Sequence, residues 1–168
     1  MSKNKLNFKP NDYVVYPAHG VGRVVSIDTS EVGGITMEMF VIAFEKDKMT
    51  LRVPTAKAES TGMRSVADSD VIARAMTTLK GKPKVKRVMW SRRAQEYEQK
   101  INSGDLISIA EVVRDLHKQE EGKEQSYSER QLYEAALERL TRELAAANGH
   151  DEALAHQSVD EMLSSRAA

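Results

Sequence analysis

Cysteine is absent from the 168-residue chain. That excludes disulfide staples and thiolate metal sites, and it fits a reducing cytoplasm. Aromatic residues make up only 5% against a hydrophobic fraction of 40%, so a core must be chiefly aliphatic. Long apolar runs are missing too. The longest, Met39 to Phe44, is far too short to span a bilayer, and the opening MSKNKLNFKP has no apolar signal segment. Together these absences predict a soluble, cytoplasmic protein with no membrane partner, long enough for one domain or two small ones.

Reactive constellations are scarce as well. The four histidines, His19, His117, His150 and His156, show no metal-ligand spacing, and no thiolate could complete a site. HGVGRV contains Gly20-x-Gly22 but lacks a third glycine and leads into a second strand. No helix N-terminus follows to hold a phosphate, which removes the dinucleotide reading. Carboxylates lie at helix-surface spacings beside Lys and Arg, as solvated pairs do. The expectation is no metal, no cofactor, no small-molecule substrate and no enzyme activity.

One absence is only apparent. Lys and Arg balance Asp and Glu at 25 each, yet the charges are segregated. Residues 80–100 hold eight basic and two acidic side chains, whereas residues 119–168 hold five and eleven. Such a localised basic footprint suits a polyanion, although two ordinary solvated faces would read the same way on charge alone.

Periodicity divides the chain. Over residues 12–53 the runs DYVVYP, VGRVVSI, TMEMFVIAF and MTLRV read as short strands. Between them stand His19-Gly20, Glu31-Val32-Gly33-Gly34 and Glu45-Lys46-Asp47-Lys48. Strands this close leave no room for crossovers, so they must be antiparallel and curled, as in a small Tudor-like or SH3-like barrel. Beyond Pro54 the period becomes helical. Helices are predicted from Asp68-Ser69 to Leu79, from Trp90 to Asn102, from Asp105 to about Gln119, from the capping box Ser126-x-x-Glu129 to Ala147, and from Asp151 to Leu163. Gly81 to Lys86 reads as a linker or an exposed loop. The architecture is α+β: an N-terminal antiparallel β-barrel followed by a compact domain of about five helices.

The sole tryptophan lies in KVKRVMWSRRAQEYEQK, residues 84–100, and its residues point two ways. Trp90, Ala94, Tyr97 and Ile101 form one helical stripe, which places the ring in the core. Trp90 is nevertheless in the helix's first turn, with Lys84, Lys86 and Arg87 before it and Arg92 and Arg93 after it. Deep burial would force those cations to snorkel away. An exposed ring flanked by cations suits a nucleic acid, with phosphates neutralised and the indole stacked on or wedged beside a base.

The motifs carry a resemblance. Phe8, Asp12, Val14, Val15, Tyr16, Pro17, His19, Gly20 and Gly22 form F-x-x-x-D-x-V-V-Y-P-x-H-G-x-G, which resembles the start of the CarD/CdnL bacterial transcription regulators. LRVP (Leu51 to Pro54), WSRR (Trp90 to Arg93), SGD (Ser103 to Asp105) and EVVRDL (Glu111 to Leu116) follow in the family's order. The resemblance implies a Tudor-like domain over residues 8–60 that binds the RNA polymerase β subunit, with Met49, Arg52 and Pro54 on the last strand of the docking surface. It further implies a helical domain over residues 66–165 that binds promoter DNA at the upstream edge of the bubble. There Trp90 would be a minor-groove wedge beside Arg92 and Arg93; DNA contacts by Lys86 and Arg87 rest on charge alone. An arginine that some members carry near the end of the second strand is missing, with Asp28-Thr29-Ser30 in its place. The expectation is a monomeric transcription regulator, nucleoid-associated through polymerase, that stabilises the open complex. A polymerase-independent DNA-binding protein and a protein-interaction adaptor are the alternatives.

Overall fold

The computed structural model describes residues 8–84, 86–117, 126–149 and 151–165. They divide into two compact units at Val66/Ala67. In the first, β1 (Tyr13–Tyr16), β2 (Gly20–Val32), β3 (Ile35–Phe44), β4 (Met49–Pro54) and β5 (Arg64–Ser65) form one sheet ordered β4-β3-β2-β1-β5. Every pairing is antiparallel, as the short connections demand. The β2–β3 turn is Gly33-Gly34, with φ of 60° and 80°, the positive values a tight hairpin turn needs at both central positions.

Two features exceed the sequence expectation. Strand β2 runs past Ile27 to Val32, because β3 pairs with it down to Val32 opposite Ile35. The two-residue β5 pairs with β1, and a dipeptide carries no periodic signal. The register between β2 and β3 shifts between Val24 and Ser26. The extra residue, Val25, turns outward, while Val24 remains fully buried, the usual consequence of a bulge.

Phe8, Val14, Val24, Phe40, Ile42, Phe44, Val53, Ala58 and Met63 build this unit's core. Gly22 belongs to it by omission. A Cβ there would lie 2.6 Å from Ile42 Cγ2 and 2.8 Å from Phe44 Cε1, so the second glycine of HGVG serves packing. Gly22→Ala should therefore cost about 1–3 kcal/mol through overpacking, read as a lowered midpoint of the β unit in denaturant. An unchanged midpoint would mean the Ile42 and Phe44 side chains move aside freely.

The second unit comprises α1 (Ser69–Lys80), α2 (Trp90–Asn102), α3 (Leu106–Leu116), α4 (Tyr127–Asn148) and α5 (Glu152–Ser164). Its caps explain its boundaries. Asp68, Asp105, Ser126 and Asp151 each accept the N–H three residues on, and Gly149 closes α4 in the left-handed conformation with φ 71°. Helix α3 stops at Leu116, earlier than expected, because His117 is already extended. The end predicted near Gln119 lies outside the described residues. Leu106, Ile109, Val112, Val113 and Leu116 are all buried and form the centre of an aliphatic core with Leu79, Ile101, Leu140 and Leu163.

Buried polar contacts fix the segments that the core does not. Glu143, 1% exposed, accepts the Ala67 N–H at 2.8 Å, tying the start of the helical unit to α4. Asp115 accepts from its neighbour Arg114 at 2.8 Å and from the Lys84 N–H at 2.9 Å. The loop after α1 is thereby pinned to α3, so the basic segment has a fixed root.

Candidate nucleic-acid interface

Helix α2 begins against the usual rules. Its N-cap is Met89, which offers no side-chain bond, and no acidic residue occupies the first turn. Arg92 and Arg93 stand there instead, their N–H groups bonded to the Met89 carbonyl at 3.0 and 3.1 Å. Cations at a helix N-terminus oppose the macrodipole and add to its positive end. A break of this kind in local consistency is expected where function outweighs stability.

The two readings of Trp90 meet halfway. Tyr97 and Ile101 on the same stripe are buried, whereas Trp90 and Ala94 are of intermediate exposure. The indole packs on the margin of the helical core, with its ring centre 6.2 Å from that of Tyr97. Its Nε1–H donates to Ser128 Oγ at 3.0 Å. The first turn of α4 therefore holds one edge of a ring rooted in the first turn of α2.

The predicted basic residues separate into two kinds. Arg87 and Arg92 are exposed and have no ion pair among the described residues. Lys86, also exposed, pairs with Glu96 at 3.2 Å. Arg93 is different. Its guanidinium lies 5.3 Å from the Trp90 ring centre and 5.8 Å from that of Tyr97, a double cation–π contact. Its Nε is buried without a hydrogen-bond partner among the described residues.

Sequence reasoning missed Met89, Tyr127 and Ser128. Met89 and Tyr127 are both 77% exposed and lie next in sequence to Trp90 and to its partner Ser128. With Val88, also exposed, they give this end of the unit an apolar tip amid positive charge. An apolar residue directly after a cap such as Ser126 is a signal that could have found Tyr127. Ser128 is 38 residues from Trp90, and no local pattern links them.

In the β unit, β4 is an edge strand. Arg52 lies opposite Val41 and Pro54 opposite Met39. Alternation puts Arg52 and Pro54 on one face of β4 and Met49 on the other, where Met49 packs against the core with Leu51. The predicted docking residues are thus split two to one. Asp28-Thr29-Ser30 pair with Met39, Glu38 and Met37 in the outer part of the hairpin.

Two family models match. The CarD-like/TRCF RID domain covers residues 8–67, and the C-terminal domain of CarD covers residues 74–160. YdeB of Bacillus subtilis (strain 168), which carries a transcription-factor name, is 30% identical over 142 residues, 84% of this chain and 93% of that protein. The solution structure of the 72-residue N-terminal domain of Myxococcus xanthus CarD is 33% identical. That match covers 39% of this chain and 89% of the domain, with a TM-score of 0.31.

Proposed function

Because the chain belongs to the CarD family of transcription regulators, we propose that it docks on the β subunit of RNA polymerase through the β4 edge and stabilises the promoter open complex by wedging Trp90 into the upstream fork. The observation that carries this reading is the placement of Trp90. A partly buried indole, held by Ser128 at 3.0 Å, stands between exposed Met89 and Arg93, whose guanidinium lies 5.3 Å from the ring centre.

Each part has a task. Lys86, Arg87 and Arg92 neutralise phosphates whatever the sequence, releasing counterions. Trp90, with Met89 beside it, enters the minor groove where the strands part. Stacking there is already interrupted, so the wedge avoids much of the unstacking cost of about a few kcal/mol that intact duplex imposes. The protein holds the fork open and performs no covalent step. Arg52 and Pro54, on an edge strand with unpaired backbone groups, suit a partner that adds a strand of its own.

Docking and wedging are separable. Arg52→Glu in the full chain should weaken retention on polymerase at least about tenfold, some 1.4 kcal/mol, and leave binding of the free protein to forked DNA unaltered. Retention equal to the parent's would remove β4 from the docking surface and favour a DNA-binding protein that acts without polymerase.

A further inference from the structure

Beside the indole, one turn along α2, lies a notch that shares Lys86 and Arg93 with the proposed wedge and adds residues the wedge does not use. Lys84, Lys86, Arg93, Glu96, Tyr97, Lys100 and Asp115 line it. Arg93, Tyr97 and Lys100 follow one another along the helix, Lys84 and Lys86 come from the pinned loop, and Asp115 is contributed by α3. We propose that this notch is a binding site for a single phosphate group, and that its occupancy reaches Trp90 through Arg93.

Charge supports it first. Four cations face two carboxylates, and both carboxylates are already engaged. Asp115 is held by Arg114 and the Lys84 N–H, and Glu96 by Lys86 at 3.2 Å. Lys100 shares its charge only loosely with Glu111, at 3.5 Å, and the Lys84 ammonium has no partner among the described residues. The notch therefore presents an excess of positive charge and of unused N–H donors.

The second support is Arg93. A buried N–H without an acceptor is costly to leave unmade, and Arg93 Nε is one. The guanidinium carbon lies 5.3 and 5.8 Å from the Trp90 and Tyr97 ring centres, and Nη2 donates to Tyr97 Oη at 3.4 Å, so the group is restrained before an oxyanion arrives. A rigid fork of donors matches phosphate geometry. Size is the third. The notch holds about 30 Å³, roughly two to three times the least that accommodates one water. That leaves room for one small group inside the notch while the rest of a ligand stays in solvent. The phosphate can come from a nucleic-acid strand whose neighbouring nucleotide meets Trp90, or from a free phosphate monoester.

Trp90, the only tryptophan, reports on its own neighbour. Inorganic phosphate titrated into the full chain at constant ionic strength, with chloride as the balancing anion, should change the indole fluorescence to saturation. Lys100→Gln and Lys84→Gln should each raise the midpoint at least fivefold, with circular dichroism showing both variants folded. If a strand supplies the phosphate, phosphate competes with forked DNA and each variant lowers the slope of log affinity against log salt by about 0.7–0.9. If a free monoester supplies it, DNA binding stays the same while the phosphate midpoint still moves. A non-saturating response equal to that of chloride overturns the site, as does a saturating response identical in both variants. None of this requires polymerase. Failure of the wedge would leave the phosphate response intact, and failure of the site would leave the wedge intact.

Discussion

Trp90→Ala should shorten the lifetime of promoter open complexes by about 5- to 150-fold while retention on polymerase stays at the parental level. The range follows from base–aromatic stacking, worth about 1–3 kcal/mol per base. That energy shifts an equilibrium only to the extent that it is gained in one state and not the other. Closed duplex offers the indole no gap, so nearly all of the stacking accrues to the open state. Truncation should leave the fold nearly intact, because the ring sits at the margin of the helical core and Tyr97 and Ile101 keep that stripe buried. The check is the decay of competitor-resistant complexes on a promoter with an unstable bubble. An unchanged lifetime would reject the wedge, and lost polymerase retention would show that Trp90 acts in docking.

Asp115→Ala should destabilise the helical unit by about 3 kcal/mol, lowering its melting temperature by roughly 10 °C or more. Asp115 is 8% exposed and neutralises Arg114, itself 7% exposed. Removing the carboxylate leaves a buried guanidinium without that partner and unhooks the Lys84 N–H. Replacing Arg114 and Asp115 together with leucines should cost less than the single change, because the buried pair is then removed whole instead of losing one member. Trp90 fluorescence follows this unfolding directly. A single change as mild as the double one would show that the pair serves position and not stability.

Much of this molecule was legible because its elements obey short-range rules. The stripe Leu106, Ile109, Val112, Val113 and Leu116 identified the buried face of α3, and Gly33-Gly34 identified the hairpin. The capping box is where it was expected, with Ser126 Oγ accepting the Glu129 N–H at 3.2 Å and contacting Glu129 Oε1 at 3.4 Å. Trp90 is legible as a conflict between a core stripe and a basic first turn, and its partial burial keeps a share of each. What escaped depends on contacts between distant residues. Neither the Ser128 bond to the indole nor the anchoring of Lys84 on Asp115 has a local signature. The family resemblance groups Met49 with Arg52 and Pro54 on one strand, and a period of two divides them.

Ser128 has a further consequence. A surface tryptophan with free rotation would surrender torsional entropy each time it entered a gap, offsetting part of what stacking gains. Its bond to Ser128 fixes that angle in advance, and the anchor lies on a different helix. In the proposed wedge, discrimination between paired and parted strands would then depend on the rigidity of α4's first turn as well as on α2. Two helix starts act as one jaw.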